Sequence, residues 1–386
     1  MSIWMSQALT IAKRGQYTTS PNPMVGCVII KKNQLISAAA HHRAGSDHAE
    51  IIALHQAKDA ARGGEMYITL EPCSHYGRTP PCVEKIIQSG IQRVFIAMSD
   101  PNPKVNGEGI RQLKAAGIDV HVGLMAEEAY TLNKPFFHYI THHQPFVTAK
   151  WAMSLDGKIA TLTGESKWIT GDLARQSAHA LRATVDAILI GKRTALLDNP
   201  QLTVRNLPPN SPYHSIDDIR QPRPIILTTT GDIPLTHQLM QPGQRTLVYT
   251  SNKASSQWLQ ALKDRQIEVE ILTTHHGCFS IQEILQSLGK QQIMHLLVEG
   301  GNQVLGQFWE QKSINRVHAY LAPKIFGSNG LSPLDTQASL HLSDCHLLHN
   351  RTVSEVGDDI LISCETLQTP RNYQEFLTSQ RNTSHV

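Results

Sequence analysis

Apolar residues fall along this chain in two rhythms, short unbroken runs and longer stretches where they recur every three or four positions. The first rhythm is that of strands and the second that of helices with one apolar face. Read this way, residues 6–14 form a helix, 25–30 and 34–40 strands, 49–62 a helix and 66–70 a strand. A second helix follows, then a strand over 93–98. After the turn-rich Asp100-Pro101-Asn102-Pro103 come a helix over 109–116 and a strand over 119–123. The sum is an α/β sandwich of ordinary domain size.

Residues 141–145, with paired histidines and a proline, read as a connector, and a strand over 146–152 opens a second α/β domain. Further strands are expected over 187–191, 224–227, 246–249, 268–272 and 295–298, with helices between several of them. The expected division is 1–145 and 146–367, followed by a polar segment, 368–386, that reads as a frayed tail.

A length of 386 residues suits two separate cores, and 40% hydrophobic with 17% charged residues is a globular composition. Thirty-five basic against 32 acidic residues is too even for the broad positive field of a general nucleic-acid binder. No apolar run approaches the roughly 18 residues needed to span a bilayer, and the opening lacks the apolar core of a signal peptide. The expectation is a soluble, cytoplasmic protein with neither membrane nor nucleic-acid partners. Six cysteines in so long a chain make no disulfide framework, so reduced thiols or a metal site are expected.

The strongest chemical signal is His48-Ala49-Glu50, followed by Pro72-Cys73 and then Cys82. A zinc deaminase needs three protein ligands, a fourth position open to water and an unligated carboxylate to carry protons. His48, Cys73 and Cys82 supply the ligands for Zn2+, and Glu50 the carboxylate. Asp47 is placed to cap a helix starting at Ala49, and Thr79-Pro80-Pro81 to start the helix carrying Cys82. Two helix N-termini would then face the metal and favour thiolates. The competing reading is a structural zinc with a fourth ligand from His41, His42 or His75. The remaining histidine pairs, His142-His143 and His275-His276, read with His41-His42 as mostly surface residues. Cys27, Cys278, Cys345 and Cys364 read as small buried hydrophobes.

Pro21-Asn22-Pro23-Met24-Val25-Gly26-Cys27-Val28, the His48-Ala49-Glu50 triplet and Glu71-Pro72-Cys73-Ser74-His75-Tyr76-Gly77-Arg78-Thr79-Pro80-Pro81-Cys82 closely resemble the RibD family of bifunctional riboflavin-biosynthesis deaminase–reductases. The eight residues between the two cysteines, where deaminases commonly have two, are specific to that family. The resemblance covers essentially the whole chain up to the tail. It implies a cytidine-deaminase-like α/β/α sandwich at the N-terminus, with Asn22, His75 and Asp100 near a pyrimidine ring. On their own, Asn22 and Asp100 beside prolines also read as turn formers.

In the second domain, Lys150-Trp151-Ala152-Met153-Ser154-Leu155-Asp156-Gly157-Lys158 runs from a strand into a tight turn, and Gly164-Glu165-Ser166-Lys167-Trp168-Ile169-Thr170 follows. Later, the strand over 295–298 ends in Glu299-Gly300-Gly301-Asn302 before a helix over 303–311. Glycines there let backbone amides approach a phosphate, although an ordinary structural turn has the same look. Together these segments resemble the family's reductase half, which implies a dihydrofolate-reductase-like α/β fold using NADPH. By that resemblance Ala152, Trp168, Thr194, Asp198, Thr229 and the segment Gly301, Asn302, Gln303, Val304, Leu305, Gly306 and Gln307 touch the cofactor. Ser166, Arg182, Leu202, Arg205 and Glu299 hold the substrate, with the two arginines suited to clamp a sugar phosphate. No residue is required by the sequence to act as an acid in the reduction: Lys150 and Glu299 are the candidates for a proton donor, and water is the alternative.

Two departures stand out. The family's Asp-Ser pair after the strand at 225–227 is Thr228-Thr229 here, with Gly231-Asp232 where a basic residue is usual, so NADPH and NADH both stay open. The second aspartate of its Asp-Asp-Pro is Asn199. The resemblance implies deamination, then reduction, of a phosphoribosylated diaminopyrimidine by a homodimer or homotetramer. The alternative is a zinc deaminase of another pyrimidine or of nucleic acid with a non-reductase second domain. Aromatic residues at 6% argue against nucleic acid, which calls for stacking side chains.

Overall fold

The computed structural model describes residues 2–74, 81–102, 105–206, 211, 213–336 and 341–383. The chain divides into two compact units, Met1–His143 with Asn372–Val386, and Gln144–Arg371.

In the first unit the strands are β1 (Gly26–Lys31), β2 (Gln34–Ala40), β3 (Glu65–Ile68), β4 (Arg93–Ile96) and β5 (Asp119–Val122), in the order β2-β1-β3-β4-β5. Strand β1 runs antiparallel to β2 and β3, while β3, β4 and β5 are parallel. The helices are α1 (Ser2–Ala12), α2 (Ala49–Ala57), α3 (Cys82–Ser89), α4 (Glu108–Ala115), α5 (Ala126–Leu132) and α6 (Lys134–His142). One core joins Ile29, Met66, Ile68, Val94 and Ile96 of the sheet to Ala53 of α2, Val83 and Ile86 of α3 and Leu113 of α4. Helix α1 crosses β1 so closely that a Cβ on Gly26 would lie 2.0 Å from the Ala8 carbonyl oxygen.

Two expectations need correction here. Helices α5 and α6 occupy a stretch for which the pattern predicted nothing before the connector, because their buried faces rest on the few residues Ala129, Tyr130, Phe136 and Phe137. The segment expected to fray contains a helix, Tyr373–Thr383, belonging to the first unit. Its Phe376 is 4% exposed, with ring centroids 5.0 Å from Tyr130 and 5.7 Å from Phe137. One buried aromatic ring holds down a helix whose average composition is polar.

The second unit holds β6 (Phe146–Ser154), β7 (Ala187–Gly191), β8 (Arg223–Leu227), β9 (Leu247–Thr250), β10 (Glu268–Ile271), the short ribbon β11 (Thr274–His275) and β12 (Cys278–Phe279), β13 (His295–Val298), β14 (Arg316–Ala322), β15 (His349–Val356) and β16 (Asp359–Glu365). The main sheet has the order β10-β9-β8-β7-β13-β6-β14-β16-β15, parallel from β10 to β14 and antiparallel beyond. Its helices are α7 (Asp172–Ala183), α8 (Lys192–Asp198), α9 (Ser256–Asp264), α10 (Ile281–Lys290) and α11 (Asn302–Glu310). Leu189, Leu296 and Val298 pack with Ile284, Leu288, Leu305 and Phe308 on one face. Ile188, Ile190 and Leu297 pack with Ala195, Trp258 and Leu262 on the other. Burial on both faces is why these strands read as unbroken apolar runs. The half-exposed strands β14–β16 lack that signal and were not anticipated. No helix among the described residues is long and apolar enough to cross a membrane.

Candidate active sites

In the first unit, His48 precedes the first residue of α2 in an extended conformation, and Cys82 is the first residue of α3. Cys73 lies between β3 and α3, with its Sγ accepting from the Cys82 amide at 3.4 Å. His48 Nδ1 lies 3.3 Å from Cys82 Sγ and 3.6 Å from Cys73 Sγ. All three ligand atoms fall within 4.8 Å of one another. Hydrogen bonds from Cys82 and His48 hold the Cys73 thiol well below its usual range, as a metal ligand requires.

Glu50 sits in the first turn of α2, 3% exposed, and its Oε2 has no hydrogen-bond partner among the described residues. Burial pushes its carboxyl upward, while His48 pulls the other way. A buried, unpartnered carboxylate oxygen beside three clustered soft ligands fits zinc with an activated water, and a purely structural site gives no reason for it.

Asp47 does not cap α2: the preceding position is His48, without a side-chain cap. The Asp47 carbonyl instead meets His41 Nδ1 at 3.1 Å, and His41 Nε2 meets Asn22 Nδ2 at 3.0 Å. Since a carbonyl only accepts, Nδ1 carries the proton and Nε2 accepts from Asn22. His41 is therefore buried, 2% exposed, and not a surface residue, while the other five members of the histidine pairs are exposed. Asp100 is buried as well, and burial pushes its carboxyl up to about 7. His75, Thr79 and Pro80 lie outside the described residues. Cys27 and Cys364 are buried as expected, but Cys278 and Cys345 are exposed.

The second unit contains a cavity of about 730 Å³. Ala152, Ser166, Trp168, Arg182, Asp198, Leu202, Arg205 and Glu299 all line it, with Lys150, His179 and Tyr320. These residues are scattered from Lys150 to Tyr320 along the chain and meet because β6 and β13 are neighbours in the sheet with α7 beside them. Arg182 Nε and Nη2 donate to Glu299 Oε1 and Oε2, each at 2.8 Å. Burial would raise the Glu299 carboxyl, but Arg182 overrides it and holds it at about 2. The expected clamp on phosphate is thereby corrected in part, because the fork of Arg182 is engaged internally and Arg205 is the exposed guanidinium. Arg205 donates to His179 Nε2 at 2.9 Å, and burial followed by the nearby Arg182 and Arg205 lowers His179 to about 4. Burial also lowers Lys150, whose Nζ stands 5.6 Å from the Tyr320 ring centre. His179, on the cavity face of α7, gave no signal in the sequence.

Trp168 is 64% exposed, with the Arg175 guanidinium 4.6 Å from its ring centre, leaving an aromatic face for a planar ligand. Asp198 pairs with Lys167 at 3.0 Å. Asn199 has φ 42° at the end of α8; its Oδ1 accepts from the Gln238 amide and its carbonyl from the Gln238 side chain, at 2.8 and 2.7 Å. An asparagine suits that left-handed cap.

Thr194, Thr229 and residues 301–307 do not line this cavity. Thr194 Oγ1 instead accepts from the Gly301 amide at 3.1 Å, joining α8 to the start of α11. Val304 and Leu305 point into the core, so this segment offers a ligand its helix N-terminus rather than those side chains. The Thr229 carbonyl accepts from Ser251 Oγ at 2.6 Å, and Lys192 Nζ donates to Thr230 Oγ1 at 2.7 Å beside Asp232. A cation from α8 thus stands at the loop that lacks its own. The exposed aromatic face, the cavity size and the glycine-led helix start fit a nicotinamide dinucleotide.

Comparison with known proteins covers both units. Residues 2–98 match the cytidine and deoxycytidylate deaminase zinc-binding region, and residues 145–362 the RibD C-terminal domain. The riboflavin biosynthesis protein RibD of Aquifex aeolicus is 40% identical over 359 residues, 93% of this chain and 96% of that one. That of Escherichia coli K12 is 36% identical over 362 residues, 93% and 97% of the two chains. The solved structure of Acinetobacter baumannii RibD, form 1, is 36% identical with a TM-score of 0.86, covering 95% of this chain and 99% of that one. A Thermotoga maritima structure, described as a diaminohydroxyphosphoribosylaminopyrimidine deaminase/5-amino-6-(5-phosphoribosylamino)uracil reductase, is 32% identical with a TM-score of 0.78, covering 95% and 98%.

Proposed function

Because the chain belongs to the RibD family, and is therefore a bifunctional riboflavin-biosynthesis enzyme with a zinc-binding deaminase unit and a reductase unit, we propose the following division of labour among its side chains. His48, Cys73 and Cys82 hold Zn2+, which when bound supplies an activated water for attack on the amino-bearing carbon of the pyrimidine. Glu50 takes the proton of that water and returns it to the departing ammonia. Asn22 and Asp100, with His75, orient the ring. The observation that carries this reading is the buried Glu50 oxygen with no hydrogen-bond partner among the described residues, next to three ligand atoms within 4.8 Å.

In the second unit, Ser166, Arg182, Leu202, Arg205 and Glu299 hold the deaminated phosphoribosylaminouracil, with Arg205 facing its phosphate. Ala152, Trp168, Thr194, Asp198, Thr229 and the start of α11 hold NADPH, which when bound supplies a hydride for C1 of the ring-opened ribosyl group. Lys150, its pKa lowered by burial beside the Arg182–Glu299 pair, donates the proton that completes the ribityl amine. Lys192 takes the place of the loop cation for the adenosine end, which favours NADPH over NADH. The enzyme works in the cytoplasm as a homodimer or homotetramer, without nucleic-acid or membrane partners.

The test follows ammonia release and nicotinamide oxidation together on the phosphoribosylated diaminopyrimidine, with NADPH and NADH in parallel. Both signals, with NADPH the better reductant, are expected. Ammonia without oxidation would refute the reductase residues, and equal use of NADH would refute the role of Lys192.

A further inference from the structure

Glu71 takes no part in the chemistry just described, yet its buried carboxylate accepts hydrogen bonds from three backbone amides. It lies between β3 and Cys73, is 4% exposed, and pairs with no cation among the described residues. Its Oε2 accepts from the amides of Asp100 and Gly107, at 3.1 and 3.0 Å, and its Oε1 from the amide of Ile110 at 3.2 Å. Its own amide donates to the Met98 carbonyl at 3.0 Å. Gly107 is the capping position of α4, and Ile110 lies in its first turn, so one carboxylate meets donors the helix leaves unsatisfied and places a negative charge at its N-terminus.

The junction is tight from the other side too. A Cβ on Gly109 would stand 2.3 Å from the Pro72 carbonyl oxygen and 3.2 Å from Glu71 Oε1, so the first turn of α4 lies flush on the backbone leading to Cys73. Asp100 in turn fixes its own side chain by accepting from the Asn102 amide at 2.9 Å. Both legs of the segment after β4 are therefore hung from a side chain two residues ahead of a metal ligand.

We propose that Glu71 is a positioning residue of the deaminase, setting the Asp100 segment at a fixed distance from Cys73 and so the pyrimidine against the metal. This rests on the reading of Asp100 as a ring contact. Buried charge-assisted acceptors of three amides have no neutral substitute: in Glu71→Gln an NH2 group must face at least one N–H.

The experiment compares Glu71→Gln, Asp100→Asn and the double variant in the full zinc-loaded chain. Glu71→Gln is expected to lower deaminase kcat/KM about 100-fold, the scale of a 1 Å misplacement. Zinc per chain and reductase turnover on pre-deaminated substrate stay at the parent level, and amide exchange speeds up over residues 99–113 but not 66–70. The double variant is expected to be no worse than Asp100→Asn, because the two act through one contact. Unchanged kcat/KM in Glu71→Gln, loss of its zinc, or additive losses in the double variant would each overturn the proposal. A silent Asp100→Asn beside a defective Glu71→Gln would instead overturn the reading of Asp100. Should Glu71→Gln fail to fold, Glu71→Asp, which keeps the charge and withdraws it by one methylene, is put through the same comparison with the same outcomes.

Discussion

The two sites are built by opposite means. The deaminase site is drawn from short contiguous motifs placed where two helices begin, and its ligand set admits few chemistries. The cavity proposed for the reductase gathers single residues from strand ends, a helix face and loops far apart in sequence, each of a type found on any surface. What differs is where the information sits: in residue identity for the first site, and in sheet order for the second. Both sites nevertheless hold groups against their preferences, a carboxylate oxygen at Glu50 without a partner among the described residues and a buried ion pair at Arg182 and Glu299.

The sharpest way to separate them is Glu50→Gln. Ammonia release is expected to fall about 1,000-fold, within the range for removing a general acid–base group. Zinc content and NADPH oxidation on pre-deaminated substrate are expected to persist. Ammonia release at the parent rate would remove Glu50 from the mechanism.

The mirror experiment acts on the second unit. Arg182→Leu leaves Glu299 buried and unpaired, which typically costs about 3–5 kcal/mol. Denaturant unfolding should show the loss in the second unit alone, with reductase turnover lost and the deaminase intact. Adding Glu299→Gln should recover most of the stability but none of the turnover. If stability and turnover recover together, the pair is structural only.

Acid should also distinguish the units. Burial lowers His295 to about 3 and His318 to about 4 in the second unit, and the cavity residue His179 to about 4. Below about pH 6.5 the unfolded chain takes up protons that these folded histidines refuse, so stability falls as pH drops and is level above that point. For the deeply buried His295 the slope is at most about 1.4 kcal/mol per pH unit. In the first unit His138 is lowered to about 3 and His41 is lowered as well, so its acid loss rests on fewer groups. Melting followed separately in each unit from pH 7 to 4 should show the second losing more, and equal losses would contradict this assignment of charge states.

The contrast also explains what could be read from the chain. The cluster of His48, Cys73 and Cys82 beside Glu50 was legible because His, Cys and Glu at that spacing have few other uses. The doubly covered strands were legible because burial on both faces leaves unbroken apolar runs, as in Ala187–Gly191. What escaped notice depends on partners far away in sequence. Strand β15 is exposed along most of its length and carries no apolar signature, and the C-terminal helix is held through Phe376. His41, His179 and Glu71 look like any surface polar residue until the fold brings them Asn22, Arg205 and three amides.

The mildest test concerns the part of the proposed reductase site that lies away from the cavity. Thr194 reaches the N-terminus of α11 by a single hydrogen bond, to the Gly301 amide at 3.1 Å, and Gly301 is the capping position of that helix. Thr194→Val keeps the shape and removes the acceptor, a change worth about 1 kcal/mol where the amide can find water instead. If the start of α11 receives the cofactor, KM for NADPH should rise about fivefold with kcat nearly unchanged, since 1.4 kcal/mol corresponds to tenfold. Fluorescence quenching of Trp168 on NADPH titration gives the binding constant independently of turnover. A fall in kcat at constant KM would place Thr194 with the reacting atoms, and no change in either would leave the hydrogen bond as a clasp between α8 and α11 that the cofactor does not feel.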